Sequence, residues 1–395
     1  MDTIEELLTR GVENIIPDKE KLRKLLASGK KLNVYLGIDP TATHIHIGHA
    51  VPLRKLNAFS QLGHNVTFLI GDFTALIGDT SDKDAERPVL TSEQIRSNFE
   101  TYKKQAEKVL DFSRITVRFN SEWLQKLAFT EIVKLTQHFS AGEFVGRELI
   151  KKRLTEGKKV GLHELLYPVM QGYDSYFMDT DIQLGGTDQT FNMQAGRILQ
   201  KDLRNKESFI IANGFLEGTD GRKMSKSWGN AIWLTDEPDE MFGKVMSLRD
   251  ELIEQYFTLA TSVPHEEIEA IAARLKNGEN PMTLKKQLAH RMVTELHSQP
   301  AADLAQTEFE TRFQKGRVAD SRLPVVSLRT LKTRSTIADT LVAFGLLSSK
   351  SEAKRLVEQK AVKINGAVVS NPKDEPALRA GDTIEVGRKA VKIES

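Results

Sequence analysis

The sequence predicts an α/β fold built on a doubly wound parallel sheet, followed by an all-helical module and a small α+β tail. Three observations carry that expectation. Between Lys31 and Ile211, short β-branched runs alternate with helix-period segments, the pattern of strands joined by crossover helices. From Asp239 to Phe313 the apolar spacing is helical throughout. Residues 335–395 then place an Asn-Gly pair between two apolar runs, a strong hairpin signal.

Taken in order, Leu32-Asn33-Val34-Tyr35-Leu36-Gly37-Ile38 reads as a strand, Ala50 to Leu62 as a helix and Val66 to Ile70 as a second strand. Ser92 to Leu110 is helical and Ile115-Thr116-Val117 is a third strand. Ligands of such sheets sit beyond the carboxyl ends of the strands, so the loops after Ile38 and Ile70 are where chemistry is expected. Asp250–Leu259, His265–Leu275 and Thr283–Leu296 supply the helical module, and Gly316 and Pro324 make the stretch after it a linker. In the tail, Thr336–Leu347 is helical, and Ser349 with Glu352 forms a capping box that opens a helix through Lys360. Hairpins follow at Asn365-Gly366 and around Gly387. The expected boundaries are 1–220, 221–314, a linker over 315–334, and 335–395.

Composition excludes several functions. The 395 residues contain no cysteine, which removes a disulfide framework, a Cys-liganded zinc site and any thiol nucleophile. No apolar run is long enough for a membrane span and the start is not a basic-then-apolar leader, so a soluble, cytoplasmic protein is expected. The net charge of +2 conceals an asymmetry: residues 331–395 hold 12 Lys+Arg and 8 Asp+Glu, against 44 and 46 in the rest. A basic tail follows a slightly acidic body.

The first chemical pattern is Asp39-Pro-Thr41-Ala-Thr-His44-Ile-His46-Ile-Gly48-His49, between a strand and a helix. His46 and His49 share one face of the helix start, Gly48 lets a ligand lie against the backbone, and free N–H groups there favour an anion. Alone, such histidines equally suit a capping role, and no third ligand favours zinc. The second pattern is Gly221-Arg-Lys223-Met-Ser225-Lys226-Ser, two lysines on a glycine-led loop, suited to polyphosphate or simply solvated. The third is a polar row His163, Tyr167, Gln171 and Asp174 on an otherwise apolar helix, which either faces solvent or lines a pocket. Pro168 places the regular start of that helix near Leu165.

Together, the histidine and lysine signatures resemble those of class I aminoacyl-tRNA synthetases. Tyr35-Leu-Gly-Ile-Asp39-Pro-Thr41, Leu76-Ile-Gly-Asp79, Tyr167-Pro-Val-Met-Gln171-Gly-Tyr-Asp174 and Gln183-Leu-Gly-Gly186-Thr-Asp188-Gln189 resemble the bacterial tyrosyl-tRNA synthetases over nearly the full chain. The resemblance implies a Rossmann-like catalytic domain, a helical anticodon-binding module and an S4-like RNA-binding tail. It implies a ligase that makes tyrosyl-adenylate from L-tyrosine and ATP, with Mg2+ accompanying the nucleotide, and charges tRNA(Tyr); the protein would be a homodimer. By the same resemblance Tyr35 and Asp174 hold the substrate phenol, Asp79, Tyr167 and Gln171 its ammonium, and Gln189 lies by its carboxylate. Thr41 and His46 would bind the γ-phosphate side of ATP in the transition state and His49 the nucleotide, with Lys83, Arg87, Lys223 and Lys226 around the pyrophosphate. Asp39, Gly48, Gly186 and Asp188 would complete the ATP site with Lys226.

Leu36, His44 and Asp82 depart from the family pattern, where smaller or different residues are common, and this bears on ATP affinity and loop closure. No segment between Phe112 and Thr180 is large enough for an editing domain. In the tail, Lys350, Lys354, Arg355, Lys360 and Lys363 are the candidate RNA contacts. Three other readings stand beside the ligase: the tryptophan-specific relative, a nucleotidylyltransferase using only the histidine signature, and a noncatalytic RNA-binding protein. Tyr35 with Asp174 argues against the first, and the lysine signature against the second.

Overall fold

In the computed structural model, residues 3–41, 43–78, 90–225, 228–311, 323–331, 335–387 and 389–394 are described. They fall into two compact units, Met1–Ala302 and Asp303–Ser395. The first unit is organised by a six-stranded sheet: β1 (Val12–Ile16), β2 (Asn33–Ile38), β3 (Asn65–Ile70), β4 (Ile115–Phe119), β5 (Ile182–Gly186) and β6 (Phe209–Asn213). Its order is β1-β6-β5-β2-β3-β4. β2 to β6 run parallel, as expected, and β1 adds an antiparallel edge strand on β6 that periodicity did not reveal. Val12–Ile16 is short and its Glu13 and Asn14 are exposed, so it carries no continuous apolar run.

Helices cover the sheet because the strands are apolar on both faces: Val34, Leu36, Val66, Phe68, Ile70, Ile182 and Leu184 are buried on one, and Tyr35, Leu69, Ile210 and Ala212 on the other. The chain winds outward in both directions from β2, which pairs with β3 on one side and β5 on the other. That reversal opens a crevice beyond the carboxyl ends of β2 and β5. The helix Ile47–Gln61 descends from the crevice, and Leu162–Phe177 lines another wall. The latter begins at Leu162 and carries Pro168 inside it, so the expected start at Leu165 was one turn late. A buried ion pair fixes its entry: Arg153 donates to Glu164 at 2.6 Å, and Glu164 also accepts the Gly161 N–H at 2.8 Å.

The helical module holds Pro238–Met246, Ile253–Ala260, His265–Lys276 and Pro281–Leu296. Arg10 joins it to the N-terminal segment: its guanidinium donates to the carbonyls of Thr258 (2.8 Å), Thr261 (2.7 Å) and Val263 (2.8 Å). Thr258 and Thr261 carry carbonyls that the end of Ile253–Ala260 leaves unpaired, and Val263 lies in the loop beyond.

The second unit contains helices Ile337–Ala343 and Lys350–Glu358 over a five-stranded sheet in the order β7-β11-β10-β8-β9. Here β7 is Val325–Ser327, β8 Val362–Ile364, β9 Ala367–Val368, β10 Thr383–Val386 and β11 Lys389–Glu394. Both expected hairpins form, with Asn365 (φ 51°) and Gly366 (φ 82°) in the left-handed region that a tight turn requires. Two details differ from the sequence reading. β7 lies inside the stretch read as linker and pairs in parallel with β11. The capping box is half made: Ser349 Oγ accepts the Glu352 N–H, whereas the Glu352 carboxylate turns to Ser348 Oγ at 3.0 Å. That helix ends at Glu358, and Lys360 has φ 59°.

Candidate active site

Tyr35, Asp39, Thr41, His49, Tyr167, Gln171, Asp174, Asp188 and Gln189 line one cavity of about 270 Å³ at the mouth of the β2/β5 crevice. The polar row therefore faces a pocket at Tyr167, Gln171 and Asp174, while His163 at its start is exposed. β2 delivers Tyr35 because side chains alternate along the strand. Leu36 consequently sits buried outside the cavity wall, and Gly37 takes the lining position. Asp79, Asp82, Lys83, Arg87 and Lys226 lie outside the described residues.

At the cavity floor the Asp174 carboxylate is almost fully buried and accepts two hydrogen bonds, from Trp123 Nε1 at 2.7 Å and Asn120 Nδ2 at 3.1 Å. Burial pushes its pKa up to about 8; the two donors oppose this, and the negative charges of Asp39 and Asp72 reinforce it. The Tyr35 hydroxyl donates to Gln183 Oε1 at 3.1 Å, and burial beside Asp174 raises its pKa well above the ordinary phenol value. Higher in the wall, Tyr167 donates to Asp39 Oδ2 at 2.8 Å and Thr74 donates to Asp39 Oδ1 at 2.8 Å. Gly71 is the space for this network, since a Cβ there would fall 2.0 Å from Asp39 Oδ1 and 2.3 Å from Thr74 Oγ1. Asp39 thus stands with the row residue Tyr167 rather than apart from it.

The histidine signature opens the helix Ile47–Gln61. The rings of His46 and His49 stack at 3.7 Å, and the His46 N–H points to His49 Nδ1 at 3.4 Å. Burial, with His49 and Lys223 adding positive charge nearby, pushes the His46 pKa down to about 2, so its imidazole is neutral at physiological pH. Its Nδ1 is buried and makes no hydrogen bond. A Cβ on Gly48 would lie 3.0 Å from that nitrogen, so glycine is needed for the ring itself as well as for close approach of a ligand. Gly186 precedes Asp188 and gives its carboxylate room, for a Cβ would come within 2.5 Å of Asp188 Oδ1. The segment after the lysine signature supports the histidines: Ile47 N–H donates to Ile232 C=O at 2.8 Å and Leu234 N–H to Ile45 C=O at 3.0 Å.

The arrangement is a carboxylate-floored pocket opening onto a helix N-terminus with a neutral histidine and a nearby lysine. Such a site can hold a small zwitterion against an anionic group, and it presents no activated side-chain nucleophile. Residues 27–314 match the family described as tRNA synthetases class I (W and Y), and residues 337–384 match the S4 domain. The chain belongs to the class I aminoacyl-tRNA synthetases of that family. It is 42% identical over 389 residues to a tyrosine–tRNA ligase of Symbiobacterium thermophilum, covering 97% of this chain and 95% of the relative. It is 42% identical over 390 residues to that of Haemophilus influenzae, covering 98% and 96%. Among solved structures, a truncated Aspergillus nidulans mitochondrial tyrosyl-tRNA synthetase superposes with a TM-score of 0.66 at 23% identity, over 79% of this chain and 94% of that one, a likeness of fold.

Sequence reasoning missed Asn120 and Trp123, which sit just after β4 with no motif to mark them. It also gave no role to Gln183, although a glutamine inside an apolar strand was a visible signal. In the tail, Lys350, Lys354, Arg355 and Lys360 are exposed and Lys363 is half-buried. Lys350 is engaged with Asp339 at 2.6 Å.

Because Asp174 binds its proton more tightly folded (about 8) than at the ordinary 3.8, the folded state carries the extra proton between those values. Stability of the ligand-free protein should therefore fall as pH rises from about 4 to 8. Asp174→Asn should flatten that part of the curve, read as Tm against pH; an unchanged slope would show that Asp174 does not titrate there.

Proposed function

We propose that the chain is a tyrosine–tRNA ligase: it activates L-tyrosine with ATP to tyrosyl-adenylate and pyrophosphate, then transfers tyrosine to the 3′ end of tRNA(Tyr). The observation that carries this reading is the pairing of Tyr35 and Asp174, two buried hydroxyl-matching groups at the floor of one cavity. A substrate phenol donates a hydrogen bond to Asp174, and Tyr35 turns its hydroxyl from Gln183 toward the phenol oxygen. Phenylalanine offers Asp174 no donor and Tyr35 no acceptor, so it forgoes both hydrogen bonds that tyrosine gains at the floor. The ammonium is met by Tyr167, Gln171 and Asp79, with Asp39 holding Tyr167, and Gln189 lies by the carboxylate.

In this reading the tyrosine carboxylate attacks the α-phosphorus of ATP and pyrophosphate departs with the electron pair. Thr41, His46 and His49 contact the phosphates. Lys223, Lys226, Lys83 and Arg87 offset charge that grows on the leaving group, so their effect falls on the transition state. Gly48, Gly186 and Asp188 receive the nucleoside. Mg2+ enters as part of the nucleotide, carried by phosphate oxygens and water. The 3′-terminal hydroxyl of the tRNA then attacks the adenylate carbonyl and AMP leaves. Lys354, Arg355, Lys360 and Lys363, with Lys350, contact RNA phosphates without reading bases, and the module of 221–314 contacts the anticodon. A cytoplasmic location follows from the same reading.

A homodimer completes it. Phe129 is 79% exposed and Leu162 80% exposed, and Val133 and Leu166 are exposed as well. An apolar set of that kind on a folded enzyme favours a covering partner, here a second copy.

ATP–pyrophosphate exchange across the twenty amino acids tests the activity. Tyrosine alone should support it; exchange with tryptophan, or with none, refutes the assignment. Deleting residues 335–395 should leave tyrosine-dependent exchange within about twofold and lower tRNA charging by tenfold or more, about the loss of several phosphate contacts; full charging by the shortened chain would remove the tail from RNA binding. Light scattering should give a dimer for the native chain and a monomer for Phe129→Glu with Leu162→Glu. A dimer that persists in that variant places the interface elsewhere.

A further inference from the structure

The lysine signature is organised by one side chain that no motif reading assigned. Asn230 is 3% exposed and lies outside the cavity wall. Its Oδ1 accepts the Ser225 N–H at 2.8 Å, and its Nδ2 donates to Asp220 Oδ1 at 2.8 Å and to the Lys223 carbonyl at 3.2 Å. Its own carbonyl accepts the Thr219 N–H at 3.0 Å. A single buried amide thus ties the turn before the signature to two residues within it. Both of its donor positions are used, so the amide is fully committed to the loop.

The neighbourhood is shaped around that amide. A Cβ on Gly218 would fall 2.3 Å from Asn230 Nδ2 and 2.5 Å from its Cγ, so the glycine is the space the side chain fills. Gly218 N–H donates to the Arg222 carbonyl at 2.7 Å, and Gly221 (φ 79°) closes that turn. Arg222 Nε donates to the second oxygen of Asp220 at 2.8 Å, and its guanidinium lies 4.6 Å from the centre of the Trp228 ring, across the far side of the loop. Lys223 leaves this frame with its ammonium 5.9 Å from the Phe215 ring centre, close enough to His46 to act on its charge state.

We infer that Asn230 is a positioning residue for the reaction: by holding the Lys223 carbonyl and the Ser225 N–H it sets where the Lys223 ammonium stands when charge develops on the leaving pyrophosphate. This rests on the ligase reading given above. Asn230 touches no reacting atom, and its whole effect passes through the loop. Truncating it leaves the tyrosine pocket untouched, because Asp174, Tyr35 and Tyr167 are held by other partners. The loss should therefore appear in kcat for adenylate formation, with ground-state tyrosine binding kept.

The test is a double-mutant cycle. Asn230→Ala and the milder Asn230→Ser are made alone and in a Lys223→Ala background, with tyrosine-dependent ATP–pyrophosphate exchange read as kcat and KM, and tyrosine binding read separately by equilibrium dialysis. Each single variant should lower kcat by about tenfold or more with tyrosine binding within about twofold; in the Lys223→Ala background the further loss should shrink below about threefold, because the group being positioned is gone. Losses that multiply in full, an unchanged kcat, or failure of both single variants to bind tyrosine would each overturn the inference. Wild-type protein runs alongside: a wild type silent with tyrosine condemns the ligase reading itself and this inference with it, whereas an active wild type with additive variants condemns the inference alone.

Discussion

The burial of the Asp174 carboxylate is the constraint around which the first unit is arranged. A carboxyl group taken out of water is costly unless donors meet it, and here they come from a part of the chain far away in sequence, Asn120 and Trp123 just beyond β4. Their delivery requires β4 to lie next to β3, and β3 next to β2, so that the strand ends share a level. Asn120 extends the requirement upward: the same amide donates to Thr74, which donates to Asp39, which accepts from Tyr167. One chain of hydrogen bonds therefore fixes both ends of the cavity, and Gly71 is glycine because any Cβ would break it.

That chain also explains the electrostatic character of the site. Asp39 and Asp72 place further negative charge near Asp174, and together with burial they keep its proton affinity high. At the opposite end, burial and neighbouring positive charge keep His46 neutral. The site thus grades from a proton-holding carboxyl at the cavity floor to the Lys223 ammonium near His46, outside the cavity wall. A zwitterionic amino acid joined to a polyanion is matched along that gradient, and the match requires orientation and charge rather than a nucleophile.

How much of this was legible in the sequence depends on whether local or distant chemistry set each feature. β2 to β4 and the hairpin at Asn365-Gly366 follow from runs of β-branched residues and a turn that only those two residues suit, so periodicity found them. The polar row on Leu162–Phe177 was legible as a conflict, polar groups on an apolar helix, though its direction toward a pocket was not. β1, β7, Asn120 and Trp123 were hidden because each is defined by a partner remote in sequence, and Asn230 because its partners, though near, meet it only through the fold of a turn. β1 exists because β6 offers an edge, and Asn230 matters because the turn before the signature folds back on it. Pro168 misled in the other direction: the helix begins at Leu162 and carries the proline in its second turn, with the loss of one main-chain hydrogen bond.

The floor and the roof of the site are built to different rules, and the difference suits the chemistry. Floor residues stand on a strand and a long helix whose side-chain hydrogen bonds are buried, so the amino acid meets a preformed surface. Among the described residues the signature loop is framed differently, by turns at Gly218 and Gly221, a β-bridge between Glu217 and Lys223, and one committed amide. A leaving group must depart, and a second substrate must then reach the adenylate. A rigid roof would bind pyrophosphate as tightly after the reaction as during it. Contacts from the committed amide to the Lys223 carbonyl and the Ser225 N–H place the lysine, as a role in the transition state requires.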